Sequence, residues 1–66
     1  MTNEEYKSIL AQLSLSRRKW AKMIDATPRA VQNRADGTSG VSGMEAKFLR
    51  LLAMRPELVK IVEDME

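Results

Sequence analysis

The sequence predicts a small all-α protein, and three observations support that prediction. Apolar residues recur with helical spacing near both ends of the chain, and helix-capping residues precede most of the helical stretches. No stretch alternates apolar and polar residues as a half-buried strand would. The chain has 66 residues and a formal net charge of +2, so we expect one domain over residues 1–66 with a single small core.

The first predicted helix runs from about Asn3 to Leu13. Its apolar positions follow the i, i+3, i+4, i+7 spacing of one helix face: Tyr6, Ile9, Leu10 and Leu13. Asn3 or Thr2 can cap its N-terminus, because both side chains accept a hydrogen bond from a free backbone N–H.

Two shorter helices are predicted next. Ser16 is a favourable N-cap for a helix from Arg17 to Ile24, in which Trp20, Met23 and Ile24 form the apolar side. After Asp25-Ala26-Thr27, the pair Thr27 and Pro28 marks a third helix that runs to about Ala35. Proline is common at the first helical position because its missing N–H costs nothing there.

All three glycines lie between Asp36 and Gly43, which predicts a loop. The fourth helix is expected to start at a capping box formed by Ser42 and Glu45 and to continue through Met54. Its expected core residues are Phe48, Leu51 and Leu52. Pro56 ends that helix and begins a fifth, whose apolar residues again have the spacing of one face: Leu58, Ile61, Val62 and Met65.

Composition excludes several functions. The chain has no cysteine and no histidine, which removes disulfides, thiolate nucleophiles, imidazole bases and the common zinc sites. We therefore expect no enzyme activity, no metal and no cofactor. The polar, acidic N-terminus is not a signal peptide and no apolar run approaches membrane-spanning length, so we expect a soluble, cytoplasmic protein.

Positive charge is concentrated in the middle of the chain. Residues 17–34 contain six cations and one anion, a net charge of +5, whereas the remaining residues contain five cations and eight anions, a net charge of −3. A basic stretch within an otherwise acidic chain is typical of a surface that binds nucleic acid.

Residues 15–33 carry the most specific pattern. It consists of Leu15-Ser16, Ala21 where the two short helices would touch, Thr27-Pro28, and Val31 in the middle of the third helix. In these positions the chain resembles the helix-turn-helix regulators of the Cro and phage-repressor type. The resemblance extends over about residues 3–62. It implies a five-helix, lambda-repressor-like DNA-binding domain whose helix-turn-helix occupies about residues 16–36.

Three positions depart from the pattern of that family. Arg17 stands where the family usually has glutamine. Asp25 occupies a turn position where glycine is preferred, and such a position requires a positive φ, which aspartate tolerates better than most residues. Arg34 replaces an apolar residue, often tryptophan, that closes the core. We hypothesise that Trp20 supplies the missing aromatic volume. The Arg34 guanidinium would then stack over Trp20, or the Arg34 stem would run along it.

The resemblance also implies DNA-contacting roles. The third helix would lie in the major groove, where arginine pairs with guanine, and glutamine or asparagine with adenine. The residues expected to contact bases are Thr27, Pro28, Arg29, Gln32 and Asn33. Phosphate contacts are expected from Arg17, Arg18, Lys19, Lys22, Arg34, Thr38 and Ser39, with backbone N–H groups of the loop as further donors.

One such motif contacts only a few base pairs, so we expect a homodimer on an inverted repeat. The helix at about residues 56–65 is the expected dimerisation element, with an interface formed by Leu49, Leu58, Val59, Val62 and Met65. In the alternative interpretation, the apolar residues of this helix only complete the core.

These features predict a sequence-specific transcriptional repressor that binds double-stranded promoter DNA, often that of its own gene, as small phage repressors and anti-CRISPR-associated regulators do. No small-molecule ligand and no membrane partner are expected. The alternative is an antitoxin-like or polymerase-binding module that contacts another protein.

Overall fold

The structure, a computed structural model, describes residues 1–65. Over these residues the prediction of an all-α chain is confirmed, because there are five helices and no strand. The helices are α1 (Asn3–Gln12), α2 (Arg17–Met23), α3 (Pro28–Asp36), α4 (Gly43–Met54) and α5 (Glu57–Asp64). None of the helices in this part of the chain has both the length and the hydropathy needed to cross a membrane.

The first four helices begin at capped N-termini. The side-chain oxygens of Thr2, Ser16, Thr27 and Ser42 each accept a hydrogen bond from the backbone N–H three residues later, at 3.1–3.2 Å. The predicted caps at Ser16, Thr27 and Ser42 are therefore confirmed. At α1 the cap is Thr2, while the Asn3 amide donates to the carbonyl of Ala35, 3.4 Å away. That bond ties the start of α1 to the end of α3.

The core lies where α1, α2, α3 and α4 meet. Its largest fully buried side chains are Trp20, Tyr6, Leu10, Leu49, Leu52 and Val31. Trp20 stacks on Phe48, with ring centroids 5.7 Å apart and planes inclined by 27°. The small buried residues Ala21 and Ala35 lie on α2 and α3, where the absence of bulk allows the helix backbones to approach closely.

The predicted core face of α4 is wrong at two positions. Leu51 is 48% exposed, whereas Leu49, expected at a dimer interface, is fully buried. The buried residues of α4 are Glu45, Ala46, Leu49 and Leu52. Because α4 carries apolar residues around most of its circumference, spacing alone does not fix its rotation. Packing against α1 and the other core helices does.

Asp25 has φ = +56°, which confirms the prediction of a positive φ at this turn. Ser14, between α1 and α2, has the same φ. At positive φ, a residue with a side chain is sterically less favourable than glycine. The turn that separates α2 from α3 is therefore built with local backbone strain.

We expect Asp25→Gly to raise the free energy of unfolding by about 1 kcal/mol, because glycine relieves the steric cost of the positive φ. Urea unfolding followed by far-UV circular dichroism measures the change. The matched variant is Asp25→Ala, which retains a Cβ, loses the local hydrogen-bonding capacity of aspartate and should be less stable than the natural chain. Equal stability of the two variants would contradict the role assigned to the φ angle.

Glu45 connects the four core helices. Its Oε2 accepts hydrogen bonds from the Tyr6 hydroxyl at 2.7 Å and from the Trp20 indole N–H at 3.0 Å. Its Oε1 forms an ion pair with Arg34, 3.1 Å from Nη1. Nη1 itself has no hydrogen-bond partner with suitable geometry among residues 1–65. Burial, reinforced by the adjacent Glu45 carboxylate, raises the pKa of Tyr6 well above its ordinary value, so its hydroxyl remains a donor.

This network corrects two predictions. The backbone N–H of Glu45 donates to Ser42 as a capping box requires, but its carboxylate turns into the core and not back to the cap. The Arg34 guanidinium pairs with the Glu45 carboxylate, which also accepts the Trp20 indole N–H, and the stacking partner of Trp20 is Phe48. That the Arg34 stem runs along Trp20 stays a prediction. A buried carboxylate with three donors around it is a stronger partner for a guanidinium than an aromatic face.

The last helix, α5, contributes no fully buried residue. Leu58, Val59 and Val62 are partly buried against the core. An ion pair between Lys19 and Glu63, 2.6 Å between Nζ and Oε1, links α2 to α5. The helix therefore covers one side of the core without entering it.

Candidate nucleic-acid interface

The rotation of α3 determines which of its residues are available to a ligand. Val31 and Ala35 are buried, so the opposite side of the helix faces solvent. Thr27, Pro28, Arg29 and Gln32, all predicted base contacts, are exposed, and Asn33 is partly buried. The Thr27 hydroxyl also accepts the capping bond from the Ala30 N–H at 3.1 Å. The exposed face thus offers a cation, an amide and a hydroxyl over two helical turns.

Gln32 is held in one orientation. Its Nε2 donates to Oδ1 of Asp36, one turn further along α3, at 2.8 Å. An amide carries two N–H donors and one acceptor oxygen, so this bond leaves one N–H and Oε1 available. These are the two groups that a glutamine uses on adenine.

The cations of α2 divide into two groups. Arg18 and Lys22 are exposed and Arg17 is partly buried, with its Nε shielded from solvent and without a hydrogen-bond partner among the described residues. Lys19 is instead paired with Glu63 of α5. Arg17, Arg18 and Lys22, together with Arg29 of α3, have no carboxylate within salt-bridge distance in residues 1–65.

Arg34 does not lie where the sequence prediction placed it. It was expected to contact phosphate, but its guanidinium is turned inward to the buried Glu45 and its side chain is only 25% exposed. Withdrawing it would leave the carboxylate of Glu45 without its cation in a poorly solvated site, which is costly. The Arg34 guanidinium is therefore not available for the expected phosphate contact.

The loop after α3 offers hydroxyl groups more readily than backbone donors. The N–H groups of Thr38 and Ser39 both donate to the carbonyl of Asn33, at 2.9 and 3.2 Å, and the Gly37 N–H donates to Arg34. These three donors are therefore occupied in closing the C-terminus of α3. Thr38 and Ser39 are exposed, so their side-chain hydroxyls are the groups left to contact a phosphate.

The predicted dimer residues also need correction. Leu49 is buried in the core of its own chain and is unavailable to a second copy. Leu58, Val59 and Val62 are partly buried against that core, which supports the alternative in which these residues of α5 complete it. Of the predicted set only Met65 is largely exposed.

Two functional candidates were missed from the sequence. Asp36 orients Gln32. The sequence could have indicated this pair, because glutamine and aspartate four residues apart on a helix can form a hydrogen bond. Glu45 was identified only as a capping residue. Its partners Tyr6, Trp20 and Arg34 are distant in the chain, so no local pattern indicates the network.

The site therefore combines cations that have no acidic partner among residues 1–65, on two neighbouring helices, with a hydrogen-bonded amide on the exposed face of α3. Such a surface can hold an anionic polymer and form hydrogen bonds to groups between its phosphates. Comparison with protein-family models, with curated proteins and with solved structures finds no match for this chain.

Proposed function

We propose that this protein is a sequence-specific DNA-binding repressor in which α2 and α3 form a helix-turn-helix. In this proposal α3 enters the major groove, and Thr27, Pro28, Arg29, Gln32 and Asn33 face base edges. The resemblance of residues 15–33 to regulators of the Cro and phage-repressor type favours this function. A phage repressor or an anti-CRISPR-associated regulator would be a protein of this kind.

The observation that carries the proposal is the distribution of unpaired charge. Arg17, Arg18, Lys22 and Arg29 lack carboxylate partners among the described residues, and all four lie on α2 or the first turn of α3. Cations left unpaired on a protein surface are available to replace the counterions of DNA. The other two cations of residues 17–34, Lys19 and Arg34, already have acidic partners.

Repression would follow from occupancy of the promoter. The five helices of residues 3–64 surround one small core. A dimer on an inverted repeat within a promoter, including that of its own gene, would exclude RNA polymerase from the same DNA. The two half-sites would lie about one helical turn, roughly 34 Å, apart.

The test is a gel-shift titration on DNA from upstream of the gene, with shuffled DNA of equal length as the control, at several salt concentrations. We expect tighter binding to the upstream DNA and an affinity for both DNAs that falls steeply with salt. Equal affinity for the two DNAs would contradict sequence-specific binding, and no binding to either would contradict the function altogether.

Arg17→Ala should weaken binding to both DNAs and reduce the slope of log affinity against log salt by about one, because one phosphate contact is lost. The matched control is Lys7→Ala, which removes an exposed cation from α1 and should leave the slope unchanged. If both variants lower the slope equally, Arg17 has no special role and its effect is that of net charge.

A further inference from the structure

The exposed face of α3 ends in a carboxylate. Arg29, Gln32 and Asp36 are all exposed and lie three and four residues apart, so they follow one another along one face of the helix. Asp36 is the last residue of α3, where the helix dipole disfavours a negative charge. A carboxylate on a surface that approaches phosphates is also repelled by them. Asp36 is therefore in an electrostatically unfavourable position for a DNA-binding face.

The Asp36 carboxylate has one polar partner among residues 1–65. Its Oδ1 accepts a hydrogen bond from Nε2 of Gln32 at 2.8 Å, and no Lys or Arg of these residues lies within salt-bridge distance of it. Such a pair stabilises a helix only slightly, and the unfavourable interaction with the helix dipole offsets this gain. The bond therefore matters chiefly for what the Gln32 amide can still bind.

The bond changes which base the Gln32 amide can recognise. A free glutamine amide has two N–H donors and one acceptor oxygen. Adenine presents the acceptor N7 beside the donor N6 amino group, whereas guanine presents two acceptors, N7 and O6. An amide with both N–H groups free can therefore bind either purine. With one N–H bonded to Asp36, one donor and Oε1 remain, a pair that matches adenine and sets Oε1 against O6 of guanine.

We propose that Asp36 is a specificity-determining residue. By occupying one N–H of Gln32, it makes this glutamine bind adenine and reject guanine. The inference rests on the proposed function for the placement of α3 in the major groove, and it deepens that function by naming the base and the residue that excludes the other purine. Asp36 does so through Gln32 and without a DNA contact of its own, so it is a positioning residue.

The planar amide sets one further requirement. One N–H of a glutamine side chain lies on the same side of the C–N bond as Oε1, and the other points away from it. Adenine is bound by Oε1 together with the N–H on its own side, so the bond to Asp36 has to use the N–H that points away. NMR of the chain without DNA distinguishes the two protons. The bonded proton of Gln32 should be shifted downfield, and Asp36→Ala should remove that shift.

The main test is selection from a library of duplexes with a randomised central segment, followed by sequencing, for the natural chain and its variants. The position that Gln32 contacts is the one at which Gln32→Ala loses base preference. At that position the natural chain should prefer adenine to guanine by about 5- to 150-fold. Asp36→Ala should reduce the ratio to less than about threefold, mainly through tighter binding to guanine, because both N–H groups are then free.

Asp36→Asn is the matched variant. It loses the same charge as Asp36→Ala but keeps an acceptor oxygen for Gln32, so it should retain most of the preference for adenine. Glu4→Ala, which removes an exposed carboxylate from α1, is the control for net charge. It should raise the affinity for all duplexes alike and leave the adenine-to-guanine ratio unchanged. Far-UV circular dichroism checks that each variant is folded.

Three results would overturn the inference: an Asp36→Ala variant that keeps the natural ratio, an Asp36→Asn variant that loses it as fully as Asp36→Ala, or a bonded N–H on the same side as Oε1. A natural chain that prefers guanine at the Gln32 position, or for which Gln32→Ala changes no position, would also overturn it.

Failure of the proposed function gives a different result. A natural chain that selects no sequence from the library contradicts sequence-specific binding, and the inference with it. A chain that selects a sequence in which Asp36 has no influence on the choice of purine contradicts the inference alone and leaves the proposed function standing.

Discussion

Glu45→Ala should lower the free energy of unfolding by about 3–5 kcal/mol, the usual cost of breaking a buried ion pair by removing one partner. Glu45 is 8% exposed, and its carboxylate lies against Tyr6, Trp20 and Arg34. Its removal leaves the Tyr6 hydroxyl and the Trp20 indole N–H without their acceptor and the Arg34 guanidinium without its counter-charge. A chain of this size has roughly 3–10 kcal/mol of stability in total.

Urea unfolding followed by far-UV circular dichroism measures this loss. The matched control is Glu5→Ala, which removes the carboxylate of an exposed ion pair with Arg50 and should cost no more than about 1 kcal/mol. Similar losses for the two variants would show that Glu45 is not the centre of a cooperative network. Replacing Glu45 by leucine together with Arg34 by methionine should recover part of the stability, because no buried charge is then left unpaired.

Gln32→Ala should weaken binding to the specific DNA site by about 1–3 kcal/mol, or roughly 5- to 150-fold, and change binding to shuffled DNA by less than about twofold. The reason lies in the geometry of α3. Gln32 is exposed and its amide is already oriented by Asp36 at 2.8 Å, so little rotamer entropy is lost when it contacts a base.

Fluorescence anisotropy with both DNAs measures the difference, and the control is Gln12→Ala, at an exposed glutamine of α1. Asp36→Ala should lose part of the same discrimination, since Gln32 then has to be ordered on binding. Equal losses on specific and shuffled DNA for Gln32→Ala would refute its assignment as a base contact. If Gln32→Ala leaves the affinity for both DNAs unchanged, the DNA does not contact this side of α3.

Local features of the fold were predictable because their causes are local. The caps at Ser16, Thr27 and Ser42 each depend on a side chain and a backbone N–H three residues apart. The positive φ at Asp25 follows from a tight turn between two helices. These features need no knowledge of how the helices pack.

The orientation of α4 was not predictable from spacing. Its apolar residues include Met44, Phe48, Leu49 and Leu51, and these surround most of the helix. Several rotations would bury comparable apolar area, so the choice depends on the shape of the surface that α1 and α2 present. The same ambiguity led to the assignment of Leu49 to a dimer interface.

The sequence by itself determined the helical composition of this protein, the positions of its caps and turns, and the concentration of positive charge in residues 17–34. Only the tertiary structure decided which of those charges are available to a ligand. Arg34 is held by Glu45 and Lys19 by Glu63, partners that are distant in the chain and meet only because the helices pack. Since an ion pair depends on separation in space, fewer of these cations are free than the sequence indicates. Among residues 1–65, those in this stretch without a carboxylate in salt-bridge distance are Arg17, Arg18, Lys22 and Arg29.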